Sequence, residues 1–117
     1  MAQKLDYLRG LVYARSKGYC EKCGGQLPFS WALHHRKLKS RGGKDEVENL
    51  VALHHECHNL ATDSVHNNPN KATEVGLMVS SWSNPAECPV TLPDGSSVIL
   101  TALGTYKYLT GKEGWNG

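Results

Sequence analysis

The chain has 117 residues, of which 39% are hydrophobic and 21% are charged, a length that suits one domain and a composition typical of a folded protein. The sequence contains no apolar run near the roughly 20 residues that span a bilayer, and its first residues lack the apolar core of a signal peptide. We therefore expect a cytoplasmic protein. A domain this small buries little surface, so a further constraint such as a bound metal is expected.

Charge is distributed unevenly along the chain. Residues 1–44 contain ten Lys and Arg against two acidic residues, a net charge of +8, whereas residues 45–117 contain three against nine, a net charge of −6. A basic region of this size is the usual footprint of a polyanion, although a solvated charged surface gives the same pattern. The asymmetry indicates nucleic acid as a class of partner.

Hydrophobic spacing and turn residues predict the elements of the N-terminal half. In chain order these are an amphipathic helix over residues 4–16 ended by Gly18, a short strand over 29–35, a basic loop over 36–48, a strand over 49–53 and a helix from 55 to about 64. The second half has weaker patterns. It predicts a short helix near 71–75, a strand near 77–82 and a hairpin through 93–95 within a β-rich tail.

Cysteine and histidine spacing predicts a structural zinc site. Two ligand-x-x-ligand pairs, the first followed by two glycines that permit a tight turn, together give a Cys₃His set. The expected ligands are Cys20, Cys23, His54 and Cys57. His55 is an alternative to His54 that the spacing disfavours. Cys88 lies 31 residues beyond the last ligand, and we expect it to be an ordinary core cysteine.

Two adjacent histidines end the first predicted strand. Cutting a phosphodiester requires an activated water, a stabilised phosphorane and a neutralised leaving oxygen. Because neighbouring side chains on a strand point to opposite faces, His34 can bind a metal ion while His35 takes a proton from water. Asn49, on the second strand, can fix the ring of His35 directly or through its backbone. A pair of structural histidines is the plainer alternative.

These residues resemble the HNH nucleases, and most closely the small HNH proteins of bacteriophages. The matching elements, within about residues 10–90, are Cys20-x-x-Cys23-Gly24, Leu33-His34-His35-Arg36, Gly42-Gly43, Asn49-Leu50-Val51-x-Leu53, Cys57-His58 and His66. The resemblance implies an α+β fold, a small zinc-stapled domain over residues 1–117. Its ββα-metal motif would occupy about 18–68, preceded by an N-terminal helix and followed by a short β-rich extension over about 69–117.

The resemblance also implies roles for individual residues. His34 and His58 would be ligands of a catalytic divalent ion, His35 the general base, and Asn49 the residue that orients it. A site of two or three histidines accepts Mg²⁺, Mn²⁺, Ni²⁺, Co²⁺ or Zn²⁺. The identity of the catalytic ion is therefore left open.

One position departs from the family pattern. The family places its last ligand four residues after the position of His58, which is Thr62 here. His66 is eight residues on, a rise of about 12 Å in unbroken helix, so both histidines can bind one ion only if the helix is interrupted. We expect His66 to be the last ligand, because the sequence after it resumes the family pattern, with Asp63 as its rival.

Basic residues lie between the predicted base and Asn49. Sequence-independent phosphate contacts are expected from Arg36, Lys37 and Arg41, whereas Lys39 and Lys44 are equally well explained as solvated charges. We identified no element that reads bases. Weak sequence preference and nicking of one strand per site follow.

The predicted function is that of a phage-encoded, metal-dependent DNA endonuclease. Two other functions fit the same residues. One is a zinc-ribbon DNA-binding module with a vestigial histidine cluster. The other is a phage packaging factor that binds terminase subunits, with or without cleavage. Metal-stimulated nicking of a plasmid separates the first alternative from the nuclease.

Overall fold

The computed structural model describes residues 2–111. Its elements are helix α1 (Ala2–Arg15), strands β1 (Ala32–His35) and β2 (Leu50–Leu53), a π-helical turn (Glu56–Leu60), helix α2 (Pro69–Glu74), and strands β3 (Val90–Thr91), β4 (Ser97–Leu100) and β5 (Tyr106–Thr110). Three 3₁₀ turns occupy Lys39–Arg41, Val47–Asn49 and Pro85–Glu87. The predicted α+β class is confirmed. No helix in this part of the chain is long and apolar enough to cross a membrane.

Helix α1 packs one apolar face on the core. Leu8 and Val12, one turn apart, are buried, as helical spacing requires. The helix ends where Lys17 and Gly18 adopt positive φ angles of 57° and 82°, a left-handed conformation that glycine tolerates without cost. The predicted helix and its stop are both present.

Strands β1 and β2 form an antiparallel hairpin that positions the two adjacent histidines. His34 pairs with Val51 and His35 with Leu50, and every residue of β2 is buried. Strand β1 is shorter than predicted, because the fully exposed Phe29 lies outside the ladder. The hairpin leads directly into the π-helical turn, which completes the predicted ββα order.

The predicted helix over residues 55–64 is too long, since the π-helical turn already ends at Leu60. The predicted strand over 77–82 is also wrong. Within it only Val79 makes a β-bridge, with Lys37, and this single bridge does not extend into a strand. The predicted hairpin is present as β3 and β4, which form a three-stranded sheet with β5.

A buried ion pair links the N-terminal half to this C-terminal sheet. Arg15 donates to both carboxylate oxygens of Glu21, at 3.0 and 2.9 Å. Glu21 also accepts hydrogen bonds from the amide of Ala52 and, at 2.6 Å, from the hydroxyl of Tyr106 on β5. A buried charged pair is tolerated when its remaining hydrogen-bonding positions are filled, as they are here.

Candidate active site

The four predicted zinc ligands converge. The ligand atoms of Cys20, Cys23, His54 and Cys57 all lie within 4.8 Å of one another. His54 Nδ1 is 3.2 Å from Cys23 Sγ and 3.9 Å from Cys57 Sγ. Tetrahedral zinc, with bonds of about 2.3 Å to sulfur and 2.0 to 2.1 Å to nitrogen, would separate such atoms by about 3.6 Å. The cluster therefore fits a structural metal ion such as zinc.

Hydrogen bonding selects His54 over its neighbour. The Nε2 of His54 donates to the carbonyl of Gln26 at 2.8 Å, which fixes the tautomer and leaves Nδ1 as an unprotonated ligand atom facing the thiols. His55 is exposed, and its Nε2 lies 3.1 Å from the hydroxyl of Ser30. The alternative ligand thus points away from the cluster.

The first cysteine pair lies in a turn whose amides face sulfur. The amide of Lys22 donates to Cys20 Sγ, and the amide of Gly25 donates to Cys23 Sγ, each at 3.4 Å. A Cβ on Gly25 would lie only 3.2 Å from the His54 ring. The glycine thus allows the close approach of this turn to the imidazole.

A second cluster contains His34, His58 and His66, whose ligand atoms also lie within 4.8 Å of one another. The Nε2 atoms of His58 and His66 are 3.1 Å apart. Two metal–nitrogen bonds of zinc-like length at a tetrahedral angle would place these nitrogens about 3.3 Å apart. The three imidazoles, with no carboxylate among them, suit a borderline divalent cation.

His66 reaches this cluster because the helix stops at Leu60. The chain loops out through residues 61–64, and the amide of His66 then donates to the carbonyl of His58 at 3.1 Å. The preceding pair of residues repeats this eight-residue step at 2.9 Å. In an α-helix the carbonyl of His58 would instead accept from the amide of Thr62. The loop therefore acts as a four-residue insertion.

Asp63, the rival ligand, lies on this looped segment and faces elsewhere. Its carboxylate accepts from the side-chain amide of Asn68 at 3.2 Å and lies 3.6 Å from Lys22 Nζ and 3.7 Å from Lys71 Nζ. The hydrogen bond from Asn68 and the two lysines lower the pKa of this carboxyl. The structure does not bring Asp63 into the histidine cluster.

His34 is held as a neutral ligand. Its ring is buried, and Nε2 donates to the carbonyl of Leu77 at 2.8 Å, so Nδ1 is the nitrogen left for a metal. Burial lowers the pKa of His34 to about 3, and the nearby His58 and His66 act in the same direction. The imidazole is therefore unprotonated at any pH at which the protein would work.

The ring of His35 has a partner that the sequence did not suggest. Its Nε2 lies 2.8 Å from Oδ1 of Asp45. The hydrogen bond with His35, together with the contact to Lys39, lowers the pKa of Asp45, so the carboxylate is ionised and accepts from Nε2–H. Nδ1 is then the basic nitrogen of His35. The available signal was that Asp45 is the first acidic residue after the run of basic residues and glycines.

The side chain of Asn49 bonds to the basic loop, and its backbone carbonyl accepts from the amide of Arg36 at 2.8 Å. Its side chain accepts from the amide of Lys37 at 2.7 Å and donates to the carbonyls of Lys37 and Lys44 at 3.0 and 3.1 Å. These bonds hold together residues 37 and 44 of the basic loop, and Asp45 follows directly. Of the two expected routes to His35, the direct ring contact is taken by the Asp45 carboxylate, and an action of Asn49 through the backbone stays a prediction.

The expectation that Arg36 contacts DNA is corrected by its position. Arg36 is fully buried, and its guanidinium donates to four backbone carbonyls. These acceptors are Gly76, Glu48, Pro85 and Cys88, at 2.6 to 3.0 Å. The side chain is a structural clamp between the hairpin and the C-terminal segment.

The other basic residues of this loop remain near the surface. Lys37 is half-buried, with Nζ donating to the carbonyl of Ser83 at 3.1 Å. Lys39 Nζ lies 3.3 Å from Asp45. Arg41 and Lys44 are exposed. Of the three predicted phosphate contacts, Lys37 and Arg41 are thus placed where a polyanion could reach them.

Part of the chain matches a known protein family. Residues 20–64 match the family model described as HNH endonuclease. The matched segment contains both ligand-x-x-ligand pairs, the two adjacent histidines and His58, and it ends two residues before His66. Residues 20–64 are therefore similar to an HNH endonuclease domain.

A named relative points the same way. The chain is 36% identical over 58 residues to the Type IV methyl-directed restriction enzyme EcoKMcrA of Escherichia coli (strain K12). The alignment covers 44% of this chain and 21% of that enzyme, so the chain matches about a fifth of the relative's length. No solved structure matches the chain.

Proposed function

We propose that the protein is a metal-dependent DNA endonuclease that hydrolyses phosphodiester bonds. The observation that carries the proposal is the division of labour at the end of β1. His34 joins His58 and His66 in one cluster, while His35 turns to the other face and pairs with Asp45. A ligand set and an oriented base thus flank one strand end, as in-line attack on a phosphate requires.

In this proposal His34, His58 and His66 would hold one divalent cation. Such an ion stabilises negative charge on the phosphate and on the leaving 3′ oxygen. His35 performs the proton transfer. Its Nε2–H is held by Asp45, and Nδ1 accepts the proton of a water whose oxygen bonds to phosphorus as the bond from phosphorus to the 3′ oxygen breaks. The products are a 5′ phosphate and a 3′ hydroxyl.

The mode of DNA binding is part of the same proposal. Arg41 and Lys44 are exposed and precede Asp45 by four residues and one residue, and cations of this kind bind phosphate without reading sequence. One histidine cluster in the described residues acts on one strand at a time. We therefore infer nicking with weak sequence preference. The Cys₃His cluster is assigned to a structural zinc ion.

A plasmid nicking assay tests the proposal. Supercoiled DNA is incubated with the protein and with each of Mg²⁺, Mn²⁺, Co²⁺, Ni²⁺ and Zn²⁺, and open circles are quantified. We expect nicking with at least one of these ions and none without added metal. Tight DNA binding without nicking under every condition would favour the zinc-ribbon binding module instead.

A role in phage genome packaging rests on the sequence resemblance alone. Pull-down with purified terminase subunits tests it separately from cleavage. Specific capture would add a partner to the nuclease, and its absence would leave the nuclease proposal unchanged.

A further inference from the structure

A cleft is lined by part of the basic loop that follows His35 and by the segment around Trp82. It has a volume of about 500 Å³, within the usual range of small-ligand sites. Its lining residues include Lys37, Gly43, Lys44, Glu46 and Trp82. We call it the Trp82 cleft.

The residues that line the cleft are connected to the end of strand β1. Lys37 follows His35 by two residues, and Lys44 directly precedes Asp45. The Asn49 side chain bonds to the backbone of both lysines. A Cβ on Gly43 would lie 1.7 Å from the carbonyl oxygen of Lys37, so these two segments touch as only glycine allows. Two residues that line the cleft are therefore close sequence neighbours of the His35–Asp45 pair, which connects the cleft to the proposed general base.

Trp82 stands on the rim of the cleft with its side chain 94% exposed. The segment that carries it is nevertheless anchored. Val79 donates its amide to the carbonyl of Arg36 at 2.8 Å, and Lys37 Nζ donates to the carbonyl of Ser83 at 3.1 Å. A large aromatic ring that is held in water on a fixed segment, next to two lysines, is the arrangement that stacks on unpaired bases.

We propose that the Trp82 cleft binds one unpaired nucleotide of the DNA substrate next to the scissile phosphate. The base stacks on Trp82, and its phosphate contacts Lys37 and Lys44. Glu46 and Glu48 also line the cleft. Their carboxylates disfavour a second phosphate and can accept hydrogen bonds from base amino groups, which argues for a single nucleotide over a continuous backbone. The inference rests on the proposed nuclease function.

The test uses duplexes that carry a single-stranded flank, with 2-aminopurine at successive positions in the flank. Binding and fluorescence are measured without added divalent metal, so that the DNA stays intact. We expect Trp82→Ala to weaken binding of the flanked duplex roughly 5- to 150-fold, the range for loss of one stacked base, and to abolish quenching at one position. Trp82→Phe should retain most of both. Affinity for fully paired duplex should be unchanged.

Phe29→Ala is the matched control, because Phe29 is equally exposed and does not line the cleft. The proposal is overturned if Trp82→Ala binds the flanked duplex like wild type, or if Phe29→Ala loses as much affinity. Plasmid nicking by the wild-type protein is scored separately. Nicking with an unaffected Trp82→Ala variant would reject the subsite alone, whereas absence of both nicking and DNA binding would reject the nuclease.

Discussion

The imidazole of His35 and the carboxylate of Asp45 meet at 2.8 Å, although His35 ends strand β1 and Asp45 lies ten residues on, within the basic loop. The contact fixes which ring nitrogen carries the proton. It also makes Asp45 a positioning residue, since it acts on the reaction through His35.

Replacing Asp45 should therefore slow cleavage without weakening binding. We expect Asp45→Ala to lower the nicking rate constant roughly 10- to 100-fold, the usual effect of removing a group that orients a catalytic histidine, with DNA and metal affinity unchanged. Asp45→Asn keeps an acceptor oxygen and should recover part of the loss. Lys39→Ala, which removes the second partner of Asp45, is the control. An Asp45→Ala enzyme as fast as wild type would show that the contact is incidental.

The Cys₃His cluster should hold one tightly bound zinc ion per chain, measured by elemental analysis of the purified protein. Structural zinc sites contribute roughly 10 kcal/mol to folding, so Cys57→Ser should unfold or aggregate. Cys88→Ser is the matched control, because Cys88 lies outside the cluster and should leave zinc content and melting temperature unchanged. A metal-free protein with wild-type melting would contradict the assignment.

Replacing His66 tests whether the loop over residues 61–64 brings a third ligand to the histidine cluster. His66→Ala should weaken binding of the catalytic ion, measured by calorimetric titration with Mn²⁺ or Ni²⁺, because it removes one of three ligands. Asp63→Ala should not, since its carboxylate faces Lys22 and Lys71. The opposite ranking would mean that residues 61–64 rearrange when metal binds.

Substitution of Arg36 should change stability, whereas substitution of Arg41 should change DNA binding. Arg36→Met removes a buried guanidinium from four carbonyls, and we expect it to lower the free energy of unfolding by about 3 to 5 kcal/mol, measured by urea denaturation. Arg41→Met should leave stability unchanged and reduce the salt dependence of DNA affinity by about one phosphate contact. Equal stability of the two variants would contradict the structural role of Arg36.

Local spacing predicted the parts of the site that depend on local geometry. The two ligand pairs, which begin at Cys20 and end at Cys57, each lie within one turn. The opposite orientations of the His34 and His35 side chains follow from strand geometry. The position of His66 needed two facts together, the helical rise and the resumed pattern after it. All of these residues lie where the sequence placed them.

The contacts of Asp45 and Arg36 could not be predicted, for a common reason. Neither contact follows from the local spacing of hydrophobic or ligand residues. Asp45 approaches His35 because Asn49 closes the loop, with Gly42 at a φ of 89°. Arg36 is buried by carbonyls of residues 76, 85 and 88, and a basic sequence alone suggests an exposed loop.

The most direct test of the central claim is the single-turnover nicking rate of His35→Ala, measured with saturating metal. Loss of a general base typically costs about 100- to 10,000-fold. We predict a decrease of this size with unchanged affinity for DNA and for the catalytic ion, whereas His34→Ala should lose metal affinity and regain activity in excess metal. Nicking by His35→Ala at the wild-type rate across several metals would contradict the account.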